Sequence, residues 1–525
     1  MSSVSDPSRK TSCYVWVEMA DGRAKLRGAP EWRSTPALND TQVSTLLGAW
    51  SWDGTTLTGE VDTFGFFNLY CYEKDGVVAL SPSLLELVAN GCDTTRDERA
   101  LAVFHRLGIF VNDDTPLKHV RTLPPGGKLH WQNGVLSITG GADIPKARSI
   151  TRNDAVEGMI DLFRASMKRT LASWDGALYL PLSGGRDSRH ILLEMLHQSR
   201  APEACVTFHH NGAHMNAEAL SARAVCERKG VRHDVLGYAR PRLADATRAL
   251  TMTSLCADEH AQMMPLHDYF IGRDGAAFDG LAGDILTNPD NDADRFFKLS
   301  EKGNFTAIAR AMMEGHGRVI SQGHWGQGAG PLYSPGWDED VVDYVGHAIA
   351  EYADAPDPYQ NFWLYHRTRR EINFVPQAIL SQADTVFCPY LDEDFARFCL
   401  SLPYDVTKDQ KLHDDAIARA YPDVADIPFQ EGFKTVPSQS GGLGHKMRSL
   451  GDVQRISRMM WPNGQLDAMK SFLRPPKQLN RGSGDVYRLH DACLDGLDAT
   501  RARALLDFAT QLEAARSDVL ISDAI

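Results

Sequence analysis

The chain has 525 residues, of which 43% are apolar and 23% charged, and its formal net charge is −13 at pH 7. This length exceeds that of one ordinary domain, and the composition excludes a chain dominated by disorder. The acidic balance argues against a surface that binds nucleic acid as a whole, so no nucleic-acid partner is expected.

Nine cysteines are scattered between Cys13 and Cys493 without a CxxC pair. Such a set indicates reduced, mostly buried thiols and argues against a cysteine-rich metal site. The N-terminal sequence lacks the apolar core of a signal peptide, and no apolar run is long enough to span a bilayer. We therefore expect a cytoplasmic protein with no membrane partner.

The first part of the sequence predicts strands, because aromatic and β-branched runs alternate with Gly, Asp and Asn turns. YEKDGVVA predicts a hairpin that turns at Asp75 and Gly76. Glycine, proline and polar residues then cluster over 139–154, which indicates a boundary. We expect one domain over residues 1–148 and a second over 149–525.

Short apolar strands alternate with helices after this boundary. ALYLPLS, EACVTFHH, RHDVLGYA and GAAFDGLAGD predict strands, and SRHILLEMLHQSR and NAEALSARAVCERKG predict helices. This alternation predicts a parallel sheet with helices on both faces. From about Phe305 the pattern is mostly helical. The expected fold is an α+β sandwich followed by an α/β domain with a helical C-terminal part.

The string SGGRDS lies between a predicted strand and a predicted helix. Ligands of open parallel sheets bind beyond the carboxyl ends of the strands, where Ser183, Gly184 and Gly185 lie. Glycines let backbone N–H groups approach an anion, and a helix N-terminus adds positive charge. The string therefore predicts a phosphate site, with hydroxyls from Ser183 and Ser188 and charge from Arg186. It is not a Walker loop, because the G-K-[ST] ending is absent.

Asp187 is the unexpected member of this string, because a carboxylate repels phosphate. It predicts either a helix cap or a ligand for Mg²⁺ that bridges to the phosphates. A plain glycine-rich corner is the alternative for the two glycines alone, and the full string favours the phosphate site.

SGGRDS resembles the signature of the ATP-pyrophosphatase superfamily, whose loop binds the pyrophosphate part of ATP. DGLAGDIL, CPYLDEDFARFCLSLP, KLHDDAIARAYPDVADIP and EGFKTVP resemble, in the same order, segments of the asparagine synthetase-like family. This resemblance implies an adenine nucleotide α-hydrolase-like second domain that binds ATP and Mg²⁺. The implied metal ligands are Asp187 and Asp284, and the implied nucleotide contacts are Leu182, Ser183, Gly184, Gly185, Asp187, Ser188, Val206, Phe208 and Gly280.

GFFNLYCYEKDGVVALS and LKHVRTLPPGGKLHW resemble the amidotransferase-like sandwich of the same family. Asparagine synthetases use a cysteine exposed by removal of Met1, whereas this chain has Ser2 there and its first cysteine at Cys13. A serine without an activating base is a far weaker nucleophile, so we expect a degenerate domain with no glutaminase activity. Release of glutamate from glutamine at a useful rate would contradict this expectation.

The chain departs from the pattern of the asparagine synthetase-like family at two further positions. Near Leu281, asparagine synthetases carry a glutamate and β-lactam synthetases a tyrosine, and leucine cannot act as a base. Glu371 is a candidate base, and a helix-surface ion pair with Arg369 or Arg370 is the alternative.

The family's catalytic lysine sits just before a Gly-Phe pair, and this chain has Gln430 near that point. Lys434, just after that pair, is a candidate to neutralise pyrophosphate and the developing oxyanion. A solvated loop lysine is the alternative.

Family members without the cysteine include β-lactam synthetases, carbapenam synthetase and lasso-peptide cyclases, which join a carboxylate and an amine of one substrate. The resemblance thus implies AMP-forming amide-bond formation, intramolecular as in lasso-peptide cyclisation, on a peptide or small molecule. A precursor peptide or a leader-peptide protease is an implied further partner. The alternatives are a lactam synthetase for small molecules, an ammonia-dependent asparagine synthetase-like enzyme, a tRNA-modifying ATP pyrophosphatase and a non-catalytic ATP-binding scaffold. The locally basic segment 446–481 either receives an acidic peptide or faces water.

Overall fold

The computed structural model describes most of the chain, namely residues 13–35, 43, 45–208, 217–237, 242–257, 260–287, 293–313, 332, 334–433, 450–451, 454–456, 458 and 484–514. No helix within these ranges is long and apolar enough to cross a lipid bilayer.

Ten strands form in the first part of the chain: β1 (Val15–Ala20), β2 (Arg23–Gly28), β3 (Glu31–Arg33), β4 (Gly48–Trp52), β5 (Thr56–Val61), β6 (Tyr70–Lys74), β7 (Val77–Ser81), β8 (Val120–Thr122), β9 (Lys128–Gln132) and β10 (Val135–Thr139). They pair into two antiparallel sheets, in the orders β2-β1-β7-β6-β8 and β10-β9-β5-β4-β3. Apolar side chains of both sheets share one core. Gly59 of β5 faces β7 so closely that a Cβ there would lie 2.9 Å from Leu80 Cδ1.

The predicted hairpin between β6 and β7 is confirmed. Asp75 and Gly76 both have positive φ, at 50° and 80°, as the tight turn requires. Two helices, α1 (Leu84–Ala89) and α2 (Glu98–Leu107), complete this part of the chain.

The helices that follow are α3 (Arg152–Ala172), α4 (Arg186–His197), α5 (Ala217–Lys229), α6 (Arg242–Met252), α7 (Met264–Phe270), α8 (Gly283–Thr287), α9 (Ala293–Ser300), α10 (Phe305–Ala311), α11 (Asp338–Ala350), α12 (Pro358–Trp363), α13 (Glu393–Leu400), α14 (Tyr404–Thr407), α15 (Leu412–Ala420), α16 (Gly484–Leu494) and α17 (Ala499–Ala514). Two π-helical stretches, Leu364–Ile372 and Val375–Ile379, follow α12. The predicted helical character beyond Phe305 is confirmed for the described residues. The apolar residues of α16 and α17 share a core with those of α1 and α2.

Five strands, β11 (Leu178–Pro181), β12 (Ala204–Phe208), β13 (His233–Leu236), β14 (Ala276–Phe278) and β15 (Thr385–Phe387), form the predicted parallel sheet. Its order is β13-β12-β11-β14-β15. Alternate side chains of β11 enter different cores, with Leu178 and Leu180 on one face and Tyr179 on the other. Both faces are therefore covered, which explains why the strands are continuously apolar.

The strand order reverses between β11 and β14. From β11 the chain proceeds outward to β12 and β13, and β14 and β15 then extend the sheet on the opposite side. In open α/β sheets, such a reversal opens a crevice at the carboxyl ends of the two central strands, and ligands bind there. The loop after β11 and the turn after β14 both lie at this switch point.

The segment between β10 and α3 contains the predicted boundary. Thr151 caps α3 by accepting a hydrogen bond from the backbone N–H of Asp154 at 3.2 Å. Side chains also join the two parts of the chain: Arg369 donates to the carbonyl oxygens of Gly65 at 3.0 Å and Leu123 at 2.6 Å. The division into domains at residues 148 and 149 stays a prediction.

Candidate functional site

The SGGRDS loop joins β11 to α4 and is held by its own serines. The backbone N–H of Ser183 donates to Ser188 Oγ at 3.0 Å, and that of Gly185 donates to Ser183 Oγ at 3.2 Å. Leu182 is buried, and its N–H donates to the carbonyl oxygen of Val206 at 2.8 Å. No side chain caps the start of α4. Because the N-cap residue is Gly185, it offers the first backbone N–H groups no side-chain acceptor, and a helix end without such a cap can receive an anion.

The structure brings Asp187 and Asp284 together. Asp187 lies in the first turn of α4 and Asp284 in the first turn of α8, and the N–H of Asp284 donates to Asp187 Oδ2 at 3.1 Å. Asp187 therefore does not act as the helix cap that the sequence left open. Two glycines permit this approach, since a Cβ at Gly280 would lie 2.8 Å from Asp187 Cβ, and one at Gly283 would lie 2.6 Å from Asp187 Cγ.

The electrostatics of this pair favour a cation. Burial and then the charge of Asp284 raise the pKa of the Asp187 carboxyl well above its ordinary value, although 23% of the side chain is still exposed. Asp187 Oδ1 is buried and makes no hydrogen bond within the described residues. A third carboxylate, Asp279, adds negative charge near Asp187. Converging carboxylates with an unsatisfied oxygen are the donor set that Mg²⁺ prefers.

Asp279 is a site residue that the sequence reading passed over, although it opens the quoted DGLAGDIL motif. It follows β14, and its Oδ1 accepts from the N–H of Leu281 at 2.9 Å. Burial raises the pKa of its carboxyl from 3.8 to about 7. The signal in the sequence was its position at the end of a strand, beside the crevice.

The raised pKa of Asp279 predicts a pH-dependent stability. The unfolded chain ionises this group near pH 3.8 and the folded protein near pH 7, so the stability falls as the pH rises through that window. Asp279→Asn removes the effect. In Mg²⁺-free buffer the variant is expected to match the wild type near pH 4 and to exceed it at pH 8 by about 2–4 kcal/mol. Urea unfolding at both pH values measures this, and parallel pH profiles would contradict it.

Arg186 is less available to phosphate than the sequence suggested. Its guanidinium forms a bidentate pair with the carboxylate of Asp414 on α15 and lies over the ring of Phe429 at 4.7 Å. The loop is also packed on its other side. The N–H of Gln430 donates to the carbonyl oxygen of Gly184 at 3.1 Å, and a Cβ at Gly184 would lie 2.7 Å from Gln430 Cβ.

Buried side chains surround Asp187 from behind. His413 Nδ1 lies 3.4 Å from Asp187 Oδ1, and the Tyr390 hydroxyl donates to the backbone oxygen of Asp187 at 3.1 Å. Both residues lie more than 200 positions along the chain from Asp187. The quoted segments KLHDDAIARAYPDVADIP and CPYLDEDFARFCLSLP contain them, but no local pattern marks either residue as part of a site.

The remaining predicted site residues are placed as follows. Val206 is buried in β12 and Phe208 is half-buried at its carboxyl end, next to β11. Glu371 is buried, unlike a helix-surface residue, and its carboxylate lies 3.4 Å from Arg367 Nε rather than pairing with Arg369 or Arg370. Lys434 lies outside the described residues, so its role stays a prediction.

A second polar cluster joins α2 to α16. Asp491 Oδ1 lies 2.8 Å from His105 Nε2 and 3.4 Å from His490 Nδ1, and all three side chains are fully buried. Asp491 Oδ2 accepts from the N–H of Leu332, and His490 Nε2 donates to the carbonyl oxygen of Leu255. Burial raises the pKa of Asp491, but the bonds to the histidines outweigh it and lower the pKa to about 2. These bonds explain the cluster as a structural clamp.

Asp491→Asn is expected to destabilise the protein by about 3–5 kcal/mol, because it removes the charge from a buried, bonded network. Asp495→Asn, at an exposed position just after α16, is the matched control and is expected to change stability by less than about 0.5 kcal/mol. Denaturant unfolding of both variants measures the difference. Equal stability of the two would contradict a clamp.

Of the basic segment 446–481, the structure describes only residues 450–451, 454–456 and 458. Arg455 and Arg458 line a groove of about 760 Å³ together with Arg501 and Phe508 of α17. The groove lies apart from the switch point, and acidic residues also line it, among them Asp498 and Asp507. Because the groove carries charges of both signs, its lining does not favour binding of an acidic peptide over simple exposure of these side chains to solvent.

All nine cysteines are free thiols, and all but Cys13 are buried. Burial raises the pKa of the Cys13 thiol to about 12, so this cysteine is not a ready nucleophile. No protein-family model and no curated protein matches this chain. The interpretation of the switch point therefore rests on its own geometry and chemistry.

Proposed function

We propose that the crevice between β11 and β14 binds Mg·ATP and that the protein is an AMP-forming amide ligase. The observation that carries the proposal is the meeting of two acidic, glycine-rich turns at the switch point, where the N–H of Asp284 lies 3.1 Å from Asp187 Oδ2. The backbone N–H groups at the start of α4 can bind phosphate, and the neighbouring carboxylates can bind a cation. Together they match a nucleotide bound with its metal ion.

In this proposal, Asp187 and Asp284 would hold Mg²⁺, and the cation would neutralise charge on the phosphates. The backbone N–H groups at the start of α4, which the N-cap residue Gly185 does not cap, and the Ser183 hydroxyl contact the phosphates. The adenine lies at the carboxyl end of β12, against Phe208, because the Val206 side chain is buried in the core. The cation fits the residues present, because Asp187 Oδ1 is buried without a hydrogen-bond partner in the described structure.

The proposed reaction has two displacements. A carboxylate oxygen of the substrate bonds to the α-phosphorus while the bond to pyrophosphate breaks, which leaves an acyl-adenylate. An amine nitrogen then bonds to the acyl carbon, the bond to AMP breaks, and the amine proton passes to Glu371, a substrate group or water. Positioning and charge neutralisation dominate such a displacement, so no protein nucleophile is needed. Lys434 neutralises the departing pyrophosphate.

The amine is proposed to belong to the same substrate, so the product is an intramolecular amide, as in lasso-peptide cyclisation. The raised pKa of Cys13 supports a reaction without glutamine hydrolysis. A small-molecule lactam synthetase of the β-lactam or carbapenam type and an ammonia-dependent synthetase use the same first displacement. Cyclisation of a precursor peptide that supplies both the carboxylate and the amine would distinguish a lasso-peptide cyclase from these two alternatives.

Two alternatives belong to other classes. A tRNA-modifying ATP pyrophosphatase is disfavoured by the net charge of −13, and a thermal-shift comparison of tRNA with small acids tests it. A non-catalytic ATP-binding scaffold predicts binding without turnover. The convergence of Asp187 and Asp284 supports a bound cation in either case, because a nearby like charge disfavours the ionised carboxylate. Exchange of pyrophosphate into ATP distinguishes the enzyme from the scaffold.

Mg·ATP is expected to raise the melting temperature of the wild type by several degrees, since a ligand at a hundredfold excess over its Kd adds about 2.7 kcal/mol. Asp284→Asn removes one proposed Mg²⁺ ligand and is expected to lose most of this shift. Thermal-shift measurements with and without Mg²⁺ check both statements. A full shift in Asp284→Asn would contradict the proposed metal ligands.

A further inference from the structure

The two carboxylate oxygens of Asp187 have different surroundings. Oδ2 accepts the backbone N–H of Asp284 at 3.1 Å. Oδ1 is buried and makes no hydrogen bond of normal geometry within the described residues, and its polar neighbour is His413 Nδ1 at 3.4 Å. The group that His413 presents to this oxygen therefore decides how the carboxylate is held.

The proton of His413 can be placed from its neighbours. Thr287 Oγ1 lies 2.7 Å from the carbonyl oxygen of Gly283, which can only accept, so the hydroxyl proton points to Gly283. Thr287 Oγ1 is then an acceptor for His413 Nδ1 at 3.2 Å. In the neutral ring the proton is therefore on Nδ1, and a lone pair is left on Nε2.

Two groups behind the ring fit this tautomer. His190 Nδ1 lies 3.0 Å from His413 Nε2 and donates to it. The Tyr390 hydroxyl donates its proton to the backbone oxygen of Asp187 at 3.1 Å and lies 3.3 Å from His413 Nε2. Phe163 stacks on His190 and Tyr390 with ring centroids 4.0 Å and 4.6 Å away. The rings are thus fixed by packing as well as by hydrogen bonds.

We propose that His413 is a positioning residue: its Nδ1 edge, fixed by the hydrogen bond to Thr287, lies 3.4 Å from Asp187 Oδ1 and holds this carboxylate ready for Mg²⁺. The inference rests on the proposed function. It follows the general pattern in which an outer group orients a metal ligand, and loss of such a group typically costs 10–100-fold in metal affinity. The next residue of α15, Asp414, pairs with Arg186. Consecutive residues of α15 therefore hold consecutive residues of α4.

The test is the Mg²⁺ dependence of nucleotide binding, measured by calorimetric titration of α,β-methylene-ATP into the full chain over a series of MgCl₂ concentrations. His413→Leu is expected to need about 10–100-fold more Mg²⁺ for half-maximal binding. His413→Asn places an amide N–H near the position of Nδ1 and is expected to stay close to the wild type. His413→Gln carries its amide too far out and is expected to resemble His413→Leu. The Asn and Gln pair decides the question if the leucine variant does not fold.

His366→Leu is the matched control, because it removes another fully buried histidine, one that accepts the N–H of Asn112 at 2.9 Å. It is expected to leave the Mg²⁺ dependence unchanged. A wild type that binds no analogue at any Mg²⁺ concentration would contradict the proposed function itself. A wild type that binds, with all His413 variants sharing its Mg²⁺ dependence, would overturn this inference alone. An equal change in His366→Leu would also overturn it, because lost packing would then explain the effect.

Discussion

Asp187→Ala is expected to abolish Mg²⁺-dependent exchange of labelled pyrophosphate into ATP in the presence of the carboxylate substrate. The side chain lies at the N-terminus of α4, beside Asp284 and against the turn that contains Gly280 and Gly283. Its loss removes a proposed metal ligand where in-line displacement depends on charge neutralisation. We expect the exchange rate to fall by at least about 10³-fold, the scale seen when a main electrostatic group is removed.

Asp161→Ala provides the matched control for this exchange. Asp161 is an exposed carboxylate on α3, and its removal is expected to leave the exchange rate at the wild-type value. Full activity of Asp187→Ala would refute the assignment of the site. Equal loss in both variants would attribute the effect to net charge rather than to position.

Gly283→Ala is expected to impair the site strongly, although less than removal of Asp187. The added Cβ would lie 2.6 Å from Asp187 Cγ and 2.7 Å from Asp187 Oδ1, so the carboxylate must move or the turn after β14 must open. A displacement of about 1 Å at a reacting centre typically costs about 10²-fold in rate. We expect a loss of this size in exchange, with about 1–3 kcal/mol of stability lost to overpacking.

Gly336→Ala distinguishes this steric effect from the general cost of replacing a glycine. Among the described residues, a Cβ at Gly336 would meet Ser334 Oγ alone, at an ordinary 3.6 Å, in an exposed 3₁₀ turn. Exchange kinetics and urea unfolding of both variants measure the contrast. Wild-type exchange by Gly283→Ala would show that Asp187 is not required where the structure places it.

Local patterns were enough to predict the centre of the site. SGGRDS and DGLAGD each follow a short apolar strand, and parallel strands bring their carboxyl ends to one edge of a sheet. The approach of Asp187 and Asp284 was therefore predictable, and in the structure the N–H of Asp284 lies 3.1 Å from Asp187 Oδ2. The strand order was not predictable, because periodicity reports which residues are buried and does not report which strands are neighbours.

The surroundings of the site depend on contacts between distant segments. His413, Tyr390 and Asp414 reach the loop from elements more than 200 residues away in the chain, and nothing in their own segments distinguishes them from ordinary helix residues. Glu371 shows the opposite case. Its arginine neighbours predicted an ion pair at a helix surface, but the residue is buried and pairs with Arg367. Tertiary packing determines whether such a residue is buried and which arginine it pairs with.

The most direct test of the central claim is calorimetric titration of α,β-methylene-ATP with Mg²⁺, because it requires no knowledge of the substrate acid. The wild type is expected to bind one molecule per chain only when Mg²⁺ is present, and the double variant Asp187→Ala/Asp284→Ala is expected not to bind. No binding by the wild type, or equal binding by the double variant, would contradict a Mg·ATP site between β11 and β14.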